Sequence, residues 1–139
     1  MVKEDKKSVL FVCIENSSRS QMAEGFAEKL GLRASSAGTV PSTQINSYVV
    51  EAMLEKGIDI SKKKPKGLTP EMVDKAELVV LTDPSIVKSL QRSLRWKMRR
   101  KRVEWFLPDP QGQPIEGIRL IRDQIELMVI ALANKLPAL

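Results

Sequence analysis

Residues 8–26, SVLFVCIENSSRSQMAEGF, decide how this chain folds. Val9 to Val12 form an unbroken apolar run of the kind found in a strand buried on both faces. It stops at Cys13, the only cysteine in the chain. From about Ser20, residues Met22, Ala23, Phe26, Ala27 and Leu30 recur at helical spacing, and Gly31 supplies a stop. The stretch therefore reads strand, tight loop, helix, with a cysteine and an arginine at the two ends of the loop.

The same alternation continues outward. RASSAG (33–38) reads as a second strand, and Ile45, Val49, Ala52 and Met53 mark a second helix closed by Gly57. The lysine-rich connection ISKKKPKGLTP ends in a helix-start signal, Thr69-Pro70-Glu71. Leu78 to Leu81 is a third strand. One helix is predicted after Pro84, with Ile86, Leu90, Leu94 and Met98 on one face. VEWFL (103–107) reads as a fourth strand, PDPQGQP (108–114) as a loop, and a last helix is predicted from about Gly117 to Lys135. Alternating strands and helices imply a parallel sheet with helices on both faces: one α/β domain over residues 1–139, with residues 1–7 expected to be flexible. Ligands of such sheets bind beyond the carboxyl ends of the strands. Cys13, Asp83 and Asp109 each follow a predicted strand and should open at one edge.

Composition narrows the chemistry. The 139 residues carry a net charge of +6, an ordinary apolar content, one cysteine and no histidine. An internal disulfide is impossible, and a reducing, cytoplasmic setting is expected, with no signal-like or membrane-spanning run. A nitrogen–sulfur zinc site and every histidine-assisted nucleophile are out of reach, and no metal or organic cofactor is expected. Any nucleophile must be activated in another way.

The loop offers that way. Between a strand end and a helix start, the backbone N–H groups of Ile14, Glu15, Asn16, Ser17 and Ser18 can form a nest for a tetrahedral anion, aided by the helix dipole. The same field favours the thiolate of Cys13, making it a nucleophile without a base. Arg19 brings a full charge and a two-pronged fork. Ser20 can donate to the sulfur, and Asn16 tolerates the left-handed backbone of a tight turn. Asp109, clamped between Pro108 and Pro110, is the candidate acid and then base for the leaving oxygen and the attacking water. Asp83 is either a site residue or a cap before Pro84. Each feature has a plain structural reading: a strand-end cysteine is often a small buried hydrophobe, and Asp-Pro is a common turn. Their conjunction in this order favours catalysis.

VLFVCIENSSRSQMAEGF, SSAGT and LPDP together resemble the low-molecular-weight protein tyrosine phosphatase superfamily, which includes thioredoxin-coupled arsenate reductases. The resemblance spans nearly the whole chain. It implies a four-stranded parallel sheet in a three-layer domain, Cys13 as nucleophile, Arg19 as oxyanion clamp, Asn16 and Ser20 as loop supports, and Asp109 as general acid and base. SQMAEGF, SAGT, GIDIS and AELVVLTD look more like the reductase branch. The extra cysteines of those reductases are missing here, so arsenate could be turned over only with an external thiol or redoxin. The aromatic residues that wall the pocket of the phosphatases are missing from GTVPSTQIN and DPQGQP, which weakens the expectation of snug phosphotyrosine binding. Glu15 stands where the phosphatases usually have glycine: it strains the loop if a positive φ is needed there, and if it overhangs the pocket it favours a substrate with a cationic flank.

The leading expectation is a cysteine-dependent phosphomonoester hydrolase acting on a phosphorylated protein or a small oxyanion; the alternative is an arsenate reductase. RSLRWKMRRKR (92–102) packs seven basic residues around Trp96. It suggests an acidic partner ahead of nucleic acid. Trp96 and Trp105 read as packing residues, and Lys62, Lys63, Lys64 and Lys66 as a solvated connection.

Overall fold

The computed structural model describes residues 8–136, so the expectation for residues 1–7 falls outside the described residues. Four strands, β1 (Ser8–Cys13), β2 (Arg33–Gly38), β3 (Leu78–Leu81) and β4 (Arg102–Glu104), form one parallel sheet in the order β2-β1-β3-β4. Between them lie α1 (Arg19–Lys29), α2 (Ser47–Leu54), α3 (Pro70–Lys75), α4 (Ile86–Ser89) and α5 (Arg92–Met98); α6 (Ile115–Lys135) closes the chain.

Side chains alternate across a strand, so β1 feeds two cores. Val9 and Phe11 join α1, α2 and α6 on one face, with Leu78, Val80 and Trp105. Leu10 and Val12 join Val79, Leu81, Val73, Ile86, Leu94 and Met98 on the other. Being covered on both sides is why β1 is apolar without alternation. No helix among the described residues is long and apolar enough to cross a membrane.

β1 is also where the sheet changes direction. The chain leaves it through α1 to β2 on one side and reaches β3 on the other. The carboxyl end of that strand borders the crevice of the topological switch point, and Cys13 is its last residue.

Two elements differ from the sequence reading. The helix expected after Pro84 is two helices, broken where Leu90 and Gln91 take extended backbone (ψ 142° and 150°). Ile86, Leu90, Leu94 and Met98 are spaced by four, and in one straight helix that row would drift about 120° around the axis. The break resets the phase, and all four are buried. The fourth strand ends at Glu104, although Trp105 N–H still donates to Leu81 O at 2.7 Å and Leu107 N–H to Thr82 O at 3.2 Å. That trailing pair carries the chain to the carboxyl edge of the sheet before Pro108, which has no N–H to continue.

Candidate active site

The loop after β1 is shaped by what holds its carbonyls. Those of Cys13, Ile14, Glu15 and Ser17 accept from the N–H groups of Thr39, Val40, Ser42 and Asn46 at 2.7–3.1 Å. No peptide among the described residues is cis. In a trans peptide the C=O of one residue and the N–H of the next point in opposite directions. The N–H groups of Ile14, Glu15, Asn16 and Ser18 therefore turn away from the 39–46 segment. That of Asn16 ends on the Cys13 Sγ at 3.1 Å, which shows the side they face. α1 begins at the end of this loop with no acidic residue in its first turn and no side-chain cap, so its positive end is open to an anion.

Asn16 holds the turn together. It is the one non-glycine residue with positive φ (54°) among the described residues, so the left-handed position falls there and not at Glu15. Its side chain is fully buried. The Lys66 N–H, a pure donor, reaches Asn16 Oδ1 at 2.8 Å, and Gln21 Nε2 donates to the same oxygen at 3.0 Å. This fixes the amide's orientation, and Nδ2 donates to Ser20 Oγ (2.7 Å) and Ser36 Oγ (2.9 Å). With its oxygen already accepting, Ser20 has its own proton for the Cys13 sulfur 2.8 Å away. Ser36 in turn donates to Glu24, whose other oxygen meets Lys63 Nζ at 2.6 Å. A continuous polar chain thus runs from the sulfur to a half-buried ammonium. Lys63, read from sequence as part of a solvated connection, is tied to both Glu24 and Glu28.

Arg19 is 4% exposed. Its Nη1 donates to Leu107 O at 3.0 Å and to Asp83 Oδ2 at 3.3 Å, which leaves the Nε–Nη2 edge of the fork for an oxyanion. Asp83 reaches Arg19 but is not the helix cap expected before Pro84: the N-cap of α4 is Ser85, and Asp83 accepts from the Ser85 N–H at 2.9 Å in the turn ahead of it. The Ser85 N–H, first, and then the Ser85 hydroxyl and Arg19, hold its carboxyl below the usual carboxylate range. Leu107 is two residues before Asp109, so one carbonyl couples the arginine to the acid's loop.

These pieces meet in a cleft of about 680 Å³. Cys13, Ile14, Glu15, Ser17, Ser18 and Arg19 line it on one side, residues 42–48 on another, and Asp109 with Gln111–Gln113 on the third. Cys13 is only 3% exposed, yet it opens into this cleft and is not sealed in the core. Asp109 is exposed and accepts from the Gln111 N–H at 3.0 Å. Asn16 and Ser20 lie behind the loop, supporting it. Chemically, the cleft can receive a tetrahedral anion on amide N–H groups and a guanidinium, with a thiol beneath and a carboxyl at the rim.

Several contributors escaped the sequence reading. GTVPSTQIN and DPQGQP bring no aromatic residue to the cleft, but Tyr48, in the first turn of α2 and two residues past the first of them, lines it. Gly38 packs so closely on the loop that a Cβ there would sit 2.5 Å from Ile14 O and 2.8 Å from Asn16 N. The SSAG motif was visible, but its contact with residue 14 is tertiary. Trp105 does pack in the core, 5.7 Å from Phe11, whereas Trp96 is 64% exposed and carries Arg99 over its ring at 3.5 Å. The basic tract lies toward the opposite edge of the sheet. Three of its cations are spoken for: Lys97 by Asp74, Lys101 by the carbonyls of Val73 and Ala76, and Arg102 by Glu104. No group of three or more potential metal ligands converges among the described residues.

The family described as low molecular weight phosphotyrosine protein phosphatase matches residues 8–138. The glutaredoxin arsenate reductase of Synechocystis sp. is 33% identical over 94% of this chain and 98% of its own. Among solved structures, the YwlE arginine phosphatase of Geobacillus stearothermophilus superimposes with a TM-score of 0.85 at 26% identity, over 95% of this chain and 94% of that one. A low molecular weight protein tyrosine phosphatase from T. tengcongensis does so with a TM-score of 0.81 at 30% identity, over 94% of this chain and all of that one.

Proposed function

The chain belongs to the low molecular weight phosphotyrosine protein phosphatase family, and from that premise we propose that it hydrolyses phosphomonoesters through a cysteinyl-phosphate intermediate. The Cys13 sulfur attacks phosphorus in line with the leaving oxygen. As the P–O bond breaks, the leaving oxygen takes its proton from Asp109. The equatorial oxygens rest on the loop N–H groups and the free edge of Arg19, whose charge matches the build-up in the transition state. Asp109, now a carboxylate, deprotonates a water that attacks phosphorus, releasing phosphate and returning the thiolate. Tyr48 supports an aryl ester as the substrate class, since a ring beside the entering group adds stacking.

The observation that carries this reading is the sulfur itself. It sits at the floor of the cleft, receiving one backbone N–H and one hydroxyl, with the Asp109 carboxyl at the rim. That set needs no second cysteine. The decisive assay is hydrolysis of an aryl phosphate by the purified protein, with Cys13→Ser as control. Turnover that vanishes in the variant is expected; turnover that survives in it would overturn the proposal. Because a structural neighbour is named an arginine phosphatase, phosphorylated arginine belongs in the substrate panel.

A second reading, arsenate reduction, is favoured by the names of the curated relatives. Cys13 would displace water from arsenate to form a sulfur–arsenic bond. An external thiolate would then attack the Cys13 sulfur, the bonding pair leaving with arsenic as arsenite and a mixed disulfide remaining. A second external thiol would be needed to free Cys13, because the chain holds no other cysteine. Arsenite production with small thiols or a redoxin, measured beside phosphate release, separates the two.

A further inference from the structure

Beyond the anion floor, the lining of the cleft turns acidic in a chain of positive net charge. The chain carries six net positive charges, yet Arg19 is the one cationic residue among the described residues that lines the cleft, and it is almost wholly buried at the floor. Among the described residues the rest of the ionisable lining is acidic, the half-buried Glu15 and the exposed Asp109. The remaining wall is neutral: Ser42, Thr43, Gln44, Asn46, Gln111 and Gln113, with Tyr48. The nearby lysines, Lys62 to Lys64, line a separate cavity across residues 43–45.

Glu15 does no visible service in building the loop. Its backbone avoids positive φ, and its carbonyl bonds to the Ser42 N–H, a contact any residue could make. The turn is made by Asn16 instead. A carboxylate between an anion site and solvent penalises an approaching dianion, unless the group that carries the phosphate brings a positive charge to meet it.

We infer that Glu15 is a specificity residue, selecting phosphorylated residues flanked by lysine or arginine over those flanked by acids. The inference rests on the phosphatase reading and deepens it. Asp109 enters the cycle carrying the proton it will give to the leaving oxygen, so Glu15 is the residue whose charge is free to select. At the short range of a cleft wall, one unit charge gives a preference of about fivefold at low salt, shrinking as ionic strength rises.

The test uses two phosphotyrosine peptides of equal length, one flanked by lysines and one by glutamates, with p-nitrophenyl phosphate, which has no charged flank, as the standard. Wild-type kcat/KM should favour the lysine peptide about fivefold, mainly through KM, and lose that preference in high salt. In Glu15→Gln the ratio should fall toward unity. Equal rates, a preference for the acidic peptide, or a ratio unchanged in Glu15→Gln would each overturn the inference. Should the variant be inactive, the wild-type ratio and its salt dependence decide alone: a basic preference that salt erases supports the inference, and its absence sinks it. Failure of the wild type to cleave p-nitrophenyl phosphate would remove the phosphatase reading itself, a distinct outcome.

Discussion

The two halves of the proposed machinery are built to different standards. The loop of Cys13 to Arg19 is held from behind: four carbonyls bonded outward, Asn16 bonded through both donors and its oxygen, and Arg19 anchored to a carbonyl and a carboxylate. The Asp109 loop is exposed, and the bonds it shows are local, Gln111 to Asp109 and Gln113 to Pro110. The difference matches the tasks. Charge stabilisation requires dipoles in place before the reaction, since reorienting them would consume the gain. A proton carrier needs reach to the leaving oxygen and then to water, and its two flanking prolines restrict the backbone without hydrogen bonds. The cradle is pre-organised; the acid is presented.

Three substitutions probe that contrast, the largest effect first. Asp109→Asn should lower phosphomonoesterase activity about a hundredfold, and more for esters with poor leaving groups, because the lost proton matters most there. Thermal unfolding should hardly move, as the carboxylate's recorded bond is to its own turn. A large loss of stability would mean that the acid loop is structural after all. Gly38→Ala attacks the cradle instead. Its methyl would fall 2.5 Å from Ile14 O, a backbone atom that cannot swing aside. We expect a loss of about 1–3 kcal/mol in stability together with reduced kcat/KM, since the displaced loop loses its aim. Unchanged activity would show that the cradle works despite a shift that its hydrogen bonding opposes.

The smallest effect lies outside both halves and serves as a reference. Glu55, just past α2, ties that helix to Arg119 and Arg122 of α6 at 2.6–3.1 Å. Hydrogen bonds from Arg119 and then Arg122 lower its pKa from 4.5 to about 2. A depressed carboxylate contributes stability above its ordinary pKa and loses it as pH falls toward the folded value. Glu55→Gln should therefore unfold at a lower temperature than wild type at neutral pH, and the two should converge between about pH 4.5 and 2. Catalytic rates should not change. A pH-independent difference would mean that packing, and not the charge, ties the helices.

Much of the site was legible because it is contiguous. Cys13, Asn16, Arg19 and Ser20 lie within eight residues, between an apolar run and a helical period, and local chemistry alone suggests an anion nest there. Asp109 was legible because two prolines mark it. Less was readable at Pro84, where the spacing of four among Ile86, Leu90, Leu94 and Met98 resembled one helix. Only the need to bury all four against a fixed sheet reveals the break. Trp96 was read as core by its residue type, yet it lies on the outer face of α5 under an arginine.

By itself, the order of residues determined the alternation of strands and helices, the lone thiol, the missing histidine, and hence that any nucleophile here must be activated without histidine. Those are properties of composition and short-range spacing. What the tertiary structure decided is which distant groups meet: Ser36 and Lys66 on Asn16, Gly38 against Ile14, Asp83 and Leu107 on Arg19, and Tyr48 in the same cleft as Asp109. These contacts span tens of residues along the chain. They arise from strand order and crossover, which bring separate loops to one edge of a sheet and leave no periodic mark in any single segment.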